Sequence, residues 1–335
     1  MNPPVDHPLI PPAKIGVLII NLGTPDAAEA GAVRRYLAEF LSDRRVVEIP
    51  RLIWKPILHG LILRTRPRKS AHAYRLVWRE DGSPLAAITA EQTAALRTRF
   101  GDAVTIEYAM RYGRPAIADT LMRMKAAGCE RILIAPLYPQ YCAATVATAN
   151  DAAFAALARM RWQPAIRTLP PYHDDPAYIG ALKASIEASL AALPFEPDAI
   201  VASFHGMPAR TLALGDPYHC HCQKTARLLA GALGRDLTVS FQSRFGRAEW
   251  LEPATDATLA ALPAKGVKRV AVVAPGFSAD CLETLEELAI RGRQTFLDAG
   301  GTDFAYLPCL NADPSGIEML HLLLRRELAG WSAAS

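Results

Sequence analysis

Eight short runs of β-branched and aliphatic residues recur along the chain, at 15–21, 104–110, 131–136, 165–169, 200–204, 237–242, 269–274 and 304–307. Between them lie longer stretches rich in Ala, Leu and Arg whose apolar positions repeat at helical spacing. Near-continuous apolar strands alternating with amphipathic helices predict parallel sheets covered on both faces, because right-handed crossovers place helices on either side. Four runs fall in each half of the chain. The expected fold is therefore α/β: two Rossmann-like doubly wound halves, each with a four-stranded parallel sheet flanked by helices, and an active-site cleft between them. The halves are expected at 1–165 and 166–335, with the C-terminal helix free to pack back on the first half.

The strand ends of the two halves carry similar residues. Asn21-Leu22-Gly23-Thr24-Pro25 matches Phe204-His205-Gly206-Met207-Pro208, and Met110-Arg111-Tyr112-Gly113-Arg114 matches Ser243-Arg244-Phe245-Gly246-Arg247. Ile134-Ala135-Pro136 likewise matches Val273-Ala274-Pro275. This implies an internal duplication, although strand ends rich in Gly and Pro are common in this class. Gly23 to Arg111 spans 88 positions and Gly206 to Arg244 spans 38, so the first half carries roughly 50 extra residues, within 36–90. In that excess, the stretch 51–69 alternates large apolar residues with Arg and Lys, and no acidic residue occurs from 51 to 79. Two readings stay open: a core helix with a solvated basic end, or an amphipathic lip at about 45–85 that lies on an anionic membrane surface or a greasy anionic ligand.

Composition narrows the class of protein. The 335 residues are 51% hydrophobic and 21% charged, which excludes a disordered chain. A net charge of +4 gives no field over the whole molecule that would recruit nucleic acid. No apolar run approaches the ~20 residues that span a bilayer, and the N-terminus lacks the basic, apolar and small-residue pattern of a secretion signal. A cytoplasmic address is expected, in which the six cysteines are reduced thiols or ligands.

Candidate chemistry gathers at the strand ends, where ligands of parallel α/β sheets bind. His205 sits one residue beyond an apolar run, and an imidazole there is a hydrogen-bonded structural group, a general base or a metal ligand. After 269–274, Asp280, Glu283 and Glu287 are spaced i, i+3, i+7, which on an α-helix is one face. They are either a solvated acidic helix start or a carboxylate row opposite His205, suited to divalent metal or proton transfer. His219-Cys220-His221-Cys222 has no second ligand pair at zinc-site spacing and reads as a turn with thiols. Nothing matches G-x-G-x-x-G, a P-loop or G-x-S-x-G. Tyr112, Phe245, Trp250 and Phe277, with Arg111, Arg244 and Arg247, suit a flat ligand bearing carboxylates, or equally a core with surface arginines.

Nine strings taken together resemble the ferrochelatase family, over about 14–320. They are Gly-Val-Leu-Ile-Ile-Asn-Leu-Gly-Thr-Pro at 16–25, Gly-Ser-Pro-Leu at 82–85, Ala-Met-Arg-Tyr-Gly at 109–113, Pro-Leu-Tyr-Pro-Gln-Tyr at 136–141 and Ser-Phe-His-Gly-Met-Pro at 203–208. Gly-Asp-Pro-Tyr follows at 215–218, Phe-Gln-Ser-Arg-Phe-Gly at 241–246, Trp-Leu-Glu-Pro-Ala-Thr at 250–255 and Cys-Leu-Glu-Thr-Leu at 281–285. The resemblance implies insertion of Fe(II) into protoporphyrin IX, the last step of haem synthesis, with Fe(II) as substrate and no required cofactor. It implies His205 and Glu283 as catalytic and metal-contacting residues and Asp280 and Glu287 as a proton or metal path. Leu22, Ser83, Arg111, Tyr112, Trp250 and Phe277 are then porphyrin contacts, and 51–69 a porphyrin-gripping, membrane-touching segment.

The chain also departs from the family's variations. Some members hold a [2Fe-2S] cluster on cysteines that include a C-terminal set; here no Cys follows Cys309, which argues against a cluster, while six thiols keep one conceivable. Position 281 is Cys where some relatives carry His. A coproporphyrin ferrochelatase, a cobalt chelatase and a non-enzymatic haem-binding protein are the alternative readings.

Overall fold

The computed structural model describes residues 13–246 and 248–331. Strands β1 (Lys14–Gly23), β2 (Thr105–Tyr112), β3 (Cys129–Pro136) and β4 (Ala165–Thr168) form one parallel sheet in the order β2-β1-β3-β4. Strands β5 (Ala199–His205), β6 (Leu237–Gln242), β7 (Arg269–Val273) and β8 (Asp303–Tyr306) form a second in the order β6-β5-β7-β8. All eight apolar runs are strands, and the two orders are the same.

The apolar runs are continuous because both faces of each sheet are covered. Val17, Leu18, Ile19 and Ile20 are all fully buried; Val17 and Ile19 pack on one side, Leu18 and Ile20 on the other. The side bearing Val17 and Ile19 joins a core that also contains Phe204, Phe241, Leu229, Leu320 and Leu324 from the second half. Helices Pro176–Ala191, Tyr218–Leu233 and Pro314–Glu327 fill this shared layer. The two halves are thereby one packed body at the base of the cleft.

The duplication has a physical counterpart at the strand ends. Gly23 has φ +110°, and a Cβ there would lie 1.8 Å from the Tyr112 carbonyl oxygen. At the equivalent Gly206 a Cβ would lie 2.4 Å from the Gln242 carbonyl oxygen. In both halves the chain leaving the central strand crosses directly against the end of its neighbour, and only glycine leaves room.

The expected border at 165/166 falls inside β4, which pairs with β3 and belongs to the first half. The crossing to the second half lies between Thr168 and Ala199. The C-terminal segment touches residues of the first half: Arg99 pairs with Glu318 at 2.7 Å, and Arg167 stacks on Trp331 at 4.3 Å and donates to the Ala329 carbonyl at 3.0 Å.

The first-half excess forms helix Arg51–Ile57, a widened i→i+5 turn at Leu58–Ile62 and helix Leu63–Val77. Pro56 and Pro67 flank the wide turn, each removing a backbone donor. The stretch has a buried side and an exposed apolar side. Leu58 and Leu63 are buried with Leu41 and half-buried Trp54, whose indole N–H donates to the Leu41 carbonyl at 2.6 Å. Leu52, at 91% exposure, stands in solvent with Ile53 and Leu61. Leu58→Ala is expected to cost about 2–5 kcal/mol of stability, as for a buried leucine elsewhere. Leu52→Ser with Leu61→Ser is expected to leave the thermal midpoint unchanged. Thermal melts of the two variants check this difference, and equal losses would contradict it.

Candidate active site

His205 ends β5 half-buried, with Nδ1 2.7 Å from the Gly206 carbonyl oxygen. A carbonyl only accepts, so Nδ1 carries the proton and Nε2 is left as the basic nitrogen. The Tyr218 hydroxyl donates to the His205 carbonyl at 2.9 Å, and the Phe277 ring lies 6.4 Å from the imidazole, tilted by 50°. The residue is thus held from behind, below and beside.

Gln242 faces His205 across β5 and β6 and is buried. Its Nε2 donates to the Glu283 carbonyl at 2.7 Å, and its Oε1 accepts from Ser203 at 2.8 Å. One amide therefore joins the His205 strand end to the start of the Glu283–Gly292 segment. That segment is wound in i→i+5 turns, a rare geometry that recurs at functional sites. Three groups lie within electrostatic reach of the Glu283 carboxylate: Cys281, Tyr36 from helix Ala30–Phe40 and Tyr74 from helix Leu63–Val77. Burial pushes all three well above their ordinary values; the nearby carboxylate comes next for Cys281 and Tyr74, and for Tyr36 it follows Tyr74, so all three stand neutral. Sequence reasoning missed Tyr36 and Tyr74, because nothing local marks a helical tyrosine that reaches the other half of the molecule.

The carboxylate row is not an α-helical face. Asp280 precedes the helix, is buried, and is saturated by the Thr284 hydroxyl at 2.8 Å, the Tyr306 hydroxyl at 2.6 Å and the Asn311 amide at 2.7 Å. Its bonds tie the 275–281 loop to β8 and the segment after it. Glu287 accepts from the Ser243 N–H at 2.7 Å and the Ser243 hydroxyl at 2.6 Å, and lies 3.8 Å from Arg291. Ser243 has φ +63°, a strained conformation for a residue with a side chain, which this double clasp maintains. Behind Glu287 opens a cavity of about 610 Å³, lined by Gln242, Ser243, Trp250, Arg291 and Asp298 among others. His205 and Phe277 are not in its wall, so it is a chamber beside the imidazole's site.

The expected porphyrin contacts divide. Leu22 ends β1 half-buried, in the position that His205 holds in the second half. Trp250 donates its indole N–H to the Phe245 carbonyl at 3.1 Å with the two rings 5.2 Å apart, and Arg66 of the lip lies 4.9 Å over Phe245. The lip therefore reaches the second half across the cleft. Ser83 is buried as the N-cap of helix Pro84–Phe100, its hydroxyl accepting from the Ala86 N–H at 3.3 Å. Tyr112 is buried, and Arg111 is bound within the protein by Asp43 and Thr148. Arg244 is paired with Glu252 at 3.2 Å and Asp256 at 2.8 Å. Arg247 lies outside the described residues.

Among the described residues no group of three or more His, Cys, Asp or Glu side chains gathers to hold a metal ion. Five cysteines are buried and Cys220 is exposed on the helix that buries Cys222.

His219-Cys220-His221-Cys222 opens helix Tyr218–Leu233, and there His221 stacks on His173 at 3.6 Å, 6° from parallel. The Tyr141 N–H donates to His221 Nδ1 at 3.2 Å. Burial, and then the neighbouring His221, lower His173 to about 4 from an ordinary 6.5. A folded value below the ordinary one means that the stabilisation is full above about pH 6.5 and is lost as pH falls towards 4. Asp174 opposes the shift and Lys224 adds to it. His173→Phe, which keeps a stacked ring without titration, is expected to flatten part of the fall in thermal midpoint between pH 6.5 and 4. An unchanged profile would exclude the pair as its source.

The sequence profile of the ferrochelatase family matches residues 14–328. The chain belongs to the ferrochelatase family. It is 55% identical to the ferrochelatase of Rhizobium meliloti over 99% of this chain and 100% of that one, and 51% identical to the ferrochelatase of Agrobacterium fabrum over 98% and 97%. Among solved structures it is similar to SirB from Bacillus subtilis with Fe3+, at a TM-score of 0.58 and 14% identity over 95% of this chain and 97% of that one. It is also similar to DR2241 from Deinococcus radiodurans, described as having structural similarity to chelatases, at 0.54 and 12% over 93% of this chain and 55% of that one. These two likenesses show the fold alone.

Proposed function

We infer that this chain inserts Fe(II) into protoporphyrin IX, releasing two protons and forming protohaem, the terminal step of haem synthesis. The observation that carries the reading is the link from His205 through Gln242 to Glu283, with the imidazole's proton fixed on Nδ1. Insertion exchanges the water of Fe(II) for four ring nitrogens and must remove two pyrrole protons. His205 Nε2 is the acceptor for the first proton on one face of the ring. Glu283, in a setting made apolar by Tyr36, Tyr74 and Cys281, is the partner carboxylate for the second proton or for the incoming cation. Glu287 and the chamber behind it form the route onward to solvent. Asp280 serves that route as a fixed structural charge. A macrocycle held bent by flat walls exposes its nitrogen lone pairs, and Trp250, Phe277 and Leu22 offer such walls.

The exposed apolar residues of 51–69, with six basic neighbours and no acid, support contact with an anionic membrane surface at the cleft mouth. Among the described residues no helix is long and apolar enough to cross a membrane. The greasy lip favours protoporphyrin over the more polar coproporphyrin. Anaerobic competition between the two porphyrins, and between Fe(II) and Co(II), tests the assignment. Preferential formation of protohaem is expected, and faster metallation of coproporphyrin would overturn the substrate choice.

A further inference from the structure

Asp43 lies in the turn between helix Ala30–Phe40 and the lip, and its carboxylate receives donors from two other elements of the first half and from its own turn. One oxygen accepts from Arg111, from the Thr148 hydroxyl and from the Tyr112 hydroxyl at 2.9 Å; the other accepts from the Arg45 N–H at 2.8 Å. Burial alone would raise this carboxyl, but bonds from Thr148, Arg45 and Tyr112, with the Arg111 charge, hold it below the usual carboxylate range. The Arg111 guanidinium also donates to the Thr148 carbonyl at 3.0 Å and lies 4.3 Å over the Tyr112 ring. Two further bonds flank this junction: Gly113 N–H to Glu39 at 3.0 Å and Arg45 to Asp151 at 2.5 Å. Residues 39–45 are thereby fastened to the end of β2 and to helix Thr148–Leu157. The lip rests directly on this segment, through Leu41 against Leu58, Leu63 and Trp54.

We propose that Asp43 is a positioning residue for the lip, and that Arg111 and Tyr112 serve porphyrin binding by holding Asp43 and not by contacting the ring's carboxylates. The chemistry follows from satisfaction. A guanidinium already committed to a carboxylate, a hydroxyl, a carbonyl and a ring face has little capacity left for a propionate. A carboxylate with four donors fixes its own backbone, and here that backbone is the base of the lip. The proposal rests on the reading of the cleft as a porphyrin site.

Asp43→Asn keeps the volume and removes the charge. The expected result is a rise of about tenfold in the protoporphyrin dissociation constant and KM with kcat within about twofold, the pattern of lost uniform binding. The Fe(II) KM is expected to stay at the parent value. Thr148→Val is expected to have a smaller effect of the same kind, and adding it to Asp43→Asn is expected to add little, because the two share one network. Porphyrin fluorescence quenching reads the dissociation constant without turnover, so the proposal stands or falls even if metal insertion is absent. Trypsin cleavage at Arg51 and Arg64 should quicken in Asp43→Asn and in Arg45→Ala. Arg45→Ala removes only a half-exposed pair, and so tests the lip if the first variant fails to fold. An unchanged dissociation constant and cleavage rate with a lower thermal midpoint would make the network merely structural and overturn the proposal. So would a collapse of kcat with porphyrin binding intact.

Discussion

His205→Ala is expected to lower the rate of iron insertion by about 10²–10⁴-fold, the usual cost of removing a general base, while protoporphyrin still binds. The imidazole is half-buried at the end of a central strand, so truncation leaves the sheet's apolar run, Ile200 to Phe204, in place. Its Nδ1 is occupied by the Gly206 carbonyl, and only Nε2 is open to chemistry. His205→Asn therefore gives a sharper version of the same test: it keeps a polar group near the Gly206 carbonyl and supplies no base at the Nε2 position. Turnover within a few-fold of the parent in either variant would remove His205 from the mechanism. Rates are measured anaerobically with the porphyrin at saturation, and binding by fluorescence.

Glu283→Gln is the second large effect, expected to cost orders of magnitude in turnover. Glu287→Gln is expected to cost much less and to act mainly on the Fe(II) dependence. The difference comes from their surroundings. Glu283 meets two buried phenols and a buried thiol, an environment in which a lost charge is not replaced by water. Glu287 is clasped by Ser243 beside a chamber open to solvent, where water and Arg291 can partly take its place. Because its bonds also hold the strained Ser243 backbone, Glu287→Gln should lower the thermal midpoint more than Glu283→Gln does. Equal and mild kinetic effects at the two positions would reduce both to parts of an acidic helix start.

The strands were legible because a strand buried on both faces must be apolar throughout, which leaves little ambiguity in runs such as Val17 to Ile20. His205 was legible for a related reason, as a polar residue at the carboxyl end of such a run with glycine following. The carboxylate row was less so. The i, i+3, i+7 spacing assumes 3.6 residues per turn, and the Glu283–Gly292 segment is wound more widely, while Asp280 lies before it and is bound to Tyr306 and Asn311. The lip's alternation of apolar and basic residues did not separate Leu58 from Leu61, because the wide turn changes which positions face inward. The fate of Arg111 was beyond local pattern altogether. Its partner Asp43 is 68 positions away, and a guanidinium next to an aromatic looks the same in sequence whether it holds a ligand or a loop.

The central claim is that this cleft removes two protons from protoporphyrin as Fe(II) enters. It is tested most directly by mixing the chain anaerobically with protoporphyrin and Fe(II) in weak buffer, following the haem spectrum and a pH indicator together. Protohaem is expected to appear with two protons released per ring, both signals rising at one rate. Porphyrin that binds with its free-base spectrum intact, with neither proton release nor haem, would contradict it.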